Sequence, residues 1–150
     1  MIKGENLKMR FMVIVKATNE SEAGVMPRPE LLDAMMKFNE EIAKAGVMKA
    51  GEGLQASSKG ARVYFKGDKR TVIDGPFAET KELIAGYWIW ECKDLEEAKE
   101  WAKKIPNPHN EDSHVEIRQL FEVTDFSCAG NPDLHEQETR IRELVAAQNS

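Results

Sequence analysis

The sequence predicts an α+β fold: an antiparallel or mixed sheet with helices on one face. Three observations carry this prediction. Hydrophobic periodicity switches between strand and helix spacing in the order β-α-β-β-β-α-β-α. Helical stretches separate groups of strands instead of alternating with single ones. Two strand segments, 9–15 and 87–90, offer apolar side chains to both faces.

Residues 9–16 set Phe11, Val13 and Val15 on one side and Met12 and Ile14 on the other, as a strand covered on both faces would. A polar loop containing Gly and Pro spans 18–29. Across 30–44, Leu31, Met35, Phe38 and Ile42 recur at helical spacing, with Pro29 suited to the first turn and Gly46 to the end. Ala50-Gly51-Glu52-Gly53-Leu54 reads as a loop. Residues 61–66 and 70–74 read as a hairpin around Gly67-Asp68-Lys69, and Gly75-Pro76 stops its second strand because Pro has no N–H for a ladder. The most apolar stretch, 86–92 with Tyr87, Trp88, Ile89 and Trp90, is expected to be a central strand. Asp94-Leu95-Glu96-Glu97 has the form of a capping box. Leu95, Ala98, Trp101, Ala102 and Ile105 then mark a second helix, which Pro106 and Pro108 end. Strict alternation over 114–123 gives a last strand, with Val115, Ile117, Gln119, Phe121 and Val123 on one face and Glu116, Arg118, Leu120 and Glu122 on the other. A third helix is expected over 131–148, opened by Asn131-Pro132 and carrying Leu134, Ile141, Leu144 and Val145.

At 150 residues the chain has the size of one domain, and 41% hydrophobic with 31% charged residues is a globular mixture. A formal net charge of -5 gives no overall positive field for a polyphosphate backbone, so nucleic acid is not an expected partner. No apolar run approaches the ~20 residues of a membrane helix, and residues 1–10 lack an apolar signal-peptide centre, so no membrane partner and a cytoplasmic location are expected. Cys92 sits in an apolar strand as a core residue, Cys128 in a loop, and neither has a CxxC partner; both are expected to be reduced. His109, His114 and His135 lack metal-ligand spacing, with His109 a surface-loop residue and His114 at the start of the last strand. With no P-loop, no GxGxxG before a helix and no Ser-His-Asp order, neither a metal nor a cofactor is expected.

A sheet with helices on one face leaves its other face bare, yet the strands at 9–15 and 86–92 are apolar on both sides. The simplest cover is a copy of the same chain across a two-fold axis, giving a homodimer with a small-molecule cleft between its sheets.

The run Asp74-Gly75-Pro76-Phe77-Ala78-Glu79-Thr80-Lys81-Glu82, directly after the strand Thr71-Val72-Ile73, resembles the signature of the YCII-related (DGPF) family. Residues 50–63 and the strand at 115–118 resemble it too, so the likeness spans 9–125 and leaves 126–150 as a C-terminal loop and helix extension. The resemblance implies a ferredoxin-like fold paired into a dimeric α/β barrel, here with an extra C-terminal helix. YCII-like relatives have been proposed to use a His–Asp pair in a pocket, and one acts as a dehydrochlorinase on an aromatic ring. None of this chain's histidines lies in the first strand or the loop after it. Genes of the family often lie beside those of extracytoplasmic-function sigma factors, which implies a regulatory setting.

Asp74 admits two readings: a turn residue accepting local N–H groups, or a general base or substrate anchor facing the cleft. Glu79 belongs either to a solvated polar run with Lys81 and Glu82 or to a carboxylate pair with Asp74 in which one member holds a proton. Phe77 is read as a core plug. Lys16 continues the Met12 and Ile14 side of its strand, where it either snorkels to an edge or forms a cationic floor for an anionic or phenolate substrate. Arg118 would add a second cation. Glu52, between Gly51 and Gly53, lies where a backbone can approach a ligand closely. Two functions stand. One is a small cofactorless enzyme doing proton transfer on a small aromatic or keto-acid compound in a dimer cleft. The other is a non-catalytic ligand-binding or regulatory module linked to sigma-factor-dependent transcription.

Overall fold

The first strand, β1, is Met9–Lys16, and its burial alternates strictly through Phe11 and Val13. A computed structural model of the chain describes residues 7–122, 125 and 133–149. It divides into two compact units, Met1–Gln119 and Leu120–Ser150. In the first unit β1 is followed by a helical turn α1 (Asn19–Glu22), helix α2 (Pro29–Lys44), strand β2 (Met48–Gly53) and the hairpin β3 (Ala61–Lys66) and β4 (Lys69–Asp74). Strand β5 (Ile84–Cys92), helix α3 (Leu95–Ala102) and strand β6 (Val115–Gln119) complete it. The second unit carries helix α4 (Asp133–Gln148), none of whose residues is buried. Among the described residues no helix is long and apolar enough to cross a membrane.

Four strands form one open antiparallel sheet in the order β2-β5-β1-β6, with β2 and β6 at its edges. The apolar stretch expected to be a central strand is β5, between β1 and β2. The register decides which side chains share a face. Phe11 lies opposite Trp90 and Val13 opposite Trp88, while on the other flank Val13 faces Ile117 and Val15 faces Val115. These residues form the core with Phe38 and Ile42 of α2, Val47 and Ala98 of α3. Phe38, Trp88 and Trp90 meet as tilted or edge-on rings with centroids 5.8–6.1 Å apart, a geometry that adds about 0.5–1.5 kcal/mol per pair beyond the area buried. The Trp88 indole N–H donates to Asn39 Oδ1 at 2.8 Å. That of Trp90 is buried without a partner among the described residues.

Two elements differ from the sequence reading. The Gly-rich run read as a loop is edge strand β2, in which Gly51 serves close packing. A Cβ on Gly51 would lie 2.8 Å from Trp88 Cδ1, and one on Gly86 of β5 would lie 2.9 Å from the Glu52 carbonyl oxygen. Glycine here marks strands pressed together, not a turn. The last strand stops at Gln119; Phe121 is exposed, and Val123 lies outside the described residues, as do Cys128 and the Asn131-Pro132 start expected for the third helix.

The hairpin forms a separate two-stranded sheet, joined by Gly67-Asp68 with Gly67 at φ +58°. Helix α3 starts as expected, with Asp94 Oδ1 accepting from Glu97 N at 2.9 Å. Glu97 reaches back one residue further than a capping box requires, to Lys93 N at 2.6 Å.

Cys92 is buried at the end of β5. Burial first, and then the Glu97 carboxylate, pushes its thiol from 9.0 up to about 11. The folded state therefore holds the proton more tightly than the unfolded chain, so stability is intact below pH 9 and falls as pH rises toward about 11. In a Cys128→Ser background, Cys92 should resist a thiol reagent in the native protein at pH 8 and react on unfolding. Denaturation should show a loss of about 2–3 kcal/mol between those limits, absent in Cys92→Ala. Rapid native-state labelling would contradict this burial.

Candidate functional site

The alternation that buries Trp88 and Trp90 turns Tyr87 and Ile89 to the opposite face. There the register sets Met12 opposite Ile89 and Ile14 opposite Tyr87. These four side chains are half-buried, shielded by their neighbours within the sheet. The edges of the same face are charged. Arg118 lies opposite Met12 and Glu116 opposite Ile14, and the two are joined by an ion pair of 3.2 Å. On the other edge Glu52 lies opposite Tyr87 and Ala50 opposite Ile89. Lys16 ends β1 opposite Ile84, after an irregularity in the register. Three of the five residues singled out in the sequence, Lys16, Glu52 and Arg118, thus belong to one face: an apolar quartet with ionic margins. Glu52 and Lys16 make no ion pair among the described residues. Of the two glycines beside Glu52, Gly51 has its space filled by the ring of Trp88 and the end of Met48, while a Cβ at Gly53 would meet nothing within 4 Å.

Asp74 and Glu79 lie elsewhere. Asp74 ends β4 opposite Ala61, exposed, and Glu79 precedes a 3-10 turn at Thr80–Glu82, also exposed. No hydrogen bond joins them among the described residues. The turn N–H groups that one of the two readings gave to Asp74 go to other acceptors: Gly75 N donates to the Gly60 carbonyl at 2.9 Å, and Phe77 N to Ser57 Oγ at 3.0 Å.

Ser57, which the sequence reading passed over, organises this turn. Its hydroxyl donates to Glu22 Oε1 while its backbone N–H donates to Glu22 Oε2 at 3.0 Å, so one carboxylate grips both. Its carbonyl oxygen occupies the space beside Gly75, where a Cβ would come within 1.8 Å. Only glycine fits there. Phe77 is half-buried under the Arg62 guanidinium, 3.9 Å from the ring centroid, and is not a core plug. Nothing in the spacing of Glu22, Ser57 and Phe77 marks them as partners; they meet because Leu83 returns to β1, its carbonyl accepting from Ala17 N at 3.0 Å.

His109 is the second residue missed. It sits in the loop before β6, as expected, but its Nε2 lies 2.8 Å from the Lys16 carbonyl oxygen. A carbonyl only accepts, so Nε2 carries the proton and Nδ1 is left as the basic nitrogen of the neutral ring. Asn107 shapes that loop, accepting from His109 N at 3.0 Å and from Ser113 Oγ at 2.8 Å. An imidazole therefore stands at the end of β1 although no histidine lies in that strand or in the loop after it. Among the described residues, no three His, Cys, Asp or Glu side chains group as metal ligands.

The family model described as YCII-related domain matches residues 9–124. A curated relative, "Uncharacterized protein R00369" of Rhizobium meliloti (strain 1021), is 31% identical over 80 residues, which cover 53% of this chain and 64% of the relative. The match thus spans just under two thirds of that relative's length.

Removing the Ser57 hydroxyl takes a donor from Glu22 and the acceptor from Phe77 N. Ser57→Ala should therefore cost about 1–3 kcal/mol. Gly75→Ala forces backbone apart and should cost more, about 3 kcal/mol or above. Chemical denaturation of the two variants measures both; a neutral Gly75→Ala would show that the turn is not packed against Ser57.

Proposed function

The chain belongs to the YCII-related domain family, and from that premise we propose that it is a ferredoxin-like protomer whose open sheet face meets a second copy to form a dimeric α/β barrel. The cleft between the sheets performs cofactorless proton transfer on a small aromatic or keto-acid compound. One observation carries this proposal: the open face places an apolar quartet, Met12, Ile14, Tyr87 and Ile89, between the ionic residues Lys16, Glu52 and Arg118. Such a surface is costly to leave in water and suited to a flat ring or keto group bearing negative charge. The element order β-α-β-β-α-β, once the hairpin is set aside, and the strand order β2-β5-β1-β6 support the ferredoxin-like assignment.

In this scheme Lys16 and Arg118 attract the anion, and Tyr87 stacks on the ring. His109, held with Nε2 donating to Lys16, takes the proton at Nδ1. Asp74 acts as a further base at the mouth of the cleft, and Glu79 adds a second, separate carboxylate there.

The alternative is a non-catalytic module that senses a metabolite through the same face. Its support is the exposure of Asp74 and Glu79, where water competes for any ligand contact.

A thermal-shift screen with a metabolite library should yield aromatic or keto-acid hits, because a ligand that binds only the folded state stabilises it by mass action. With such a compound, His109→Gln keeps an N–H for the Lys16 carbonyl but loses the base. Turnover should then fall about 10²–10⁴-fold at unchanged ligand affinity, and Asp74→Asn should lower it by about a hundredfold at near wild-type stability. Binding without turnover in the wild type would favour the sensor. Light scattering should show a homodimer that Ile89→Glu converts to a folded monomer; a monomeric wild type at micromolar concentration would contradict the face-to-face arrangement.

A further inference from the structure

We infer that the β3–β4 hairpin is an arm that packs on a second copy of this chain at the rim of the sheet-to-sheet cleft. The inference rests on the dimer proposed above and extends it from the sheet to the arm. β3 and β4 pair only with each other and have no place in the four-stranded sheet. In their register Val63, Phe65 and Val72 share one face and are 50%, 72% and 63% exposed, while Tyr64 and Ile73 lie exposed on the other. A lone two-stranded ribbon with apolar side chains on both sides is marginal in water, and its exposed edges invite pairing. Its base is nonetheless closed by Gly75 N on the Gly60 carbonyl and well anchored by the close packing of Gly75 on Ser57, which Glu22 of α1 holds. A well-anchored ribbon with uncovered apolar faces is built to meet another surface.

Charge selects the occupant. The arm carries Arg62, Lys66, Lys69 and Arg70 against Asp68 and Asp74, in a chain whose formal net charge is -5. The excess of carboxylates therefore lies off the arm, and a second copy presents it. Glu52, exposed on edge strand β2 of the open face, is one such carboxylate. A nucleic acid would be the other polyanion for a cationic ribbon. Two of the four cations are already engaged, however: Arg62 lies over Phe77, and Arg70 lies over Phe65 while donating to the Gly67 and Lys69 carbonyls. What remains exposed is chiefly apolar, which a phosphate backbone does not cover.

The test is sedimentation equilibrium on the wild type, on Phe65→Ser/Val72→Ser, and on Lys66→Glu/Lys69→Glu, with thermal melts of each in an Ile89→Glu background. Both arm variants should raise the dimer dissociation constant at least tenfold with unchanged melts of the monomer, and the lysine effect should fade at high salt. A dimeric wild type with equal affinity in both arm variants would overturn the arm while leaving the sheet-to-sheet dimer standing. A monomeric wild type would overturn both. Binding of a labelled DNA duplex that the arm variants lose, with dimer affinity unchanged, would also overturn the proposal in favour of nucleic acid.

Discussion

The row of large side chains on one face of the sheet, Phe11 beside Trp90 and Val13 beside Trp88, is the constraint on which the rest of this molecule depends. Packing it beneath Phe38 and Ile42 of α2 removes the bulkiest apolar groups in the chain from water. Burying a Trp or Phe of this kind stabilises by several kcal/mol relative to Ala. The consequences run outward. The Trp88 indole and the end of Met48 leave no room for a side chain at Gly51, and the tight β2–β5 approach leaves none at Gly86. Because strand side chains alternate, each residue buried against the helices sends its neighbour to the other face. Met12, Ile14, Tyr87 and Ile89 are thus committed to the open side, and with them the charged margins of β2 and β6.

A second constraint acts at the end of the sheet where β1 finishes and β5 begins. There Glu22, Ser57 and the Gly75-Pro76 turn interlock, and His109 closes on the carbonyl of Lys16. Asp74-Gly75-Pro76-Phe77, the segment most recognisable in the chain, is in its backbone a packing device: Gly75 makes room for a carbonyl, and Phe77 lies under a guanidinium. Asp74 itself is exposed, and among the described residues the turn N–H groups go to other acceptors. That leaves Asp74 available to a ligand or a partner surface.

Strands and helices with a pure period were legible in the sequence. β1 and α2 announce themselves because every buried position falls at spacing 2 or 3.6. The β2 strand did not, since its Gly51 satisfies a packing demand set by Trp88 nearly forty residues away, and local propensity carries no record of such a neighbour. The same holds for the site. Lys16 and Arg118 were singled out because a charge stands out on a strand, and Glu52 because it lies between two glycines in a run read as a loop; the register sets Glu52 and Arg118 on one face, while Lys16 follows an irregularity in it. Ser57 and His109 were missed as contacts because their partners are fixed by loop return paths, which periodicity does not encode. The pairing of Asp74 with Glu79 was one reading drawn from sequence nearness; in the fold Asp74 ends β4 and Glu79 precedes the turn at Thr80–Glu82, with no hydrogen bond between them among the described residues.

Covering the open face with a second copy is the claim from which the cleft, the roles of Lys16 and Arg118 and the rim position of the arm all follow. Hydroxyl-radical footprinting across a dilution series tests it at the residues concerned, with exposed Met36 on α2 as an internal reference. A covered face predicts that Met12 and Tyr87 are protected at high concentration and become reactive on dilution, while Met36 reacts equally throughout. Equal labelling of Met12 and Tyr87 at every concentration would contradict it.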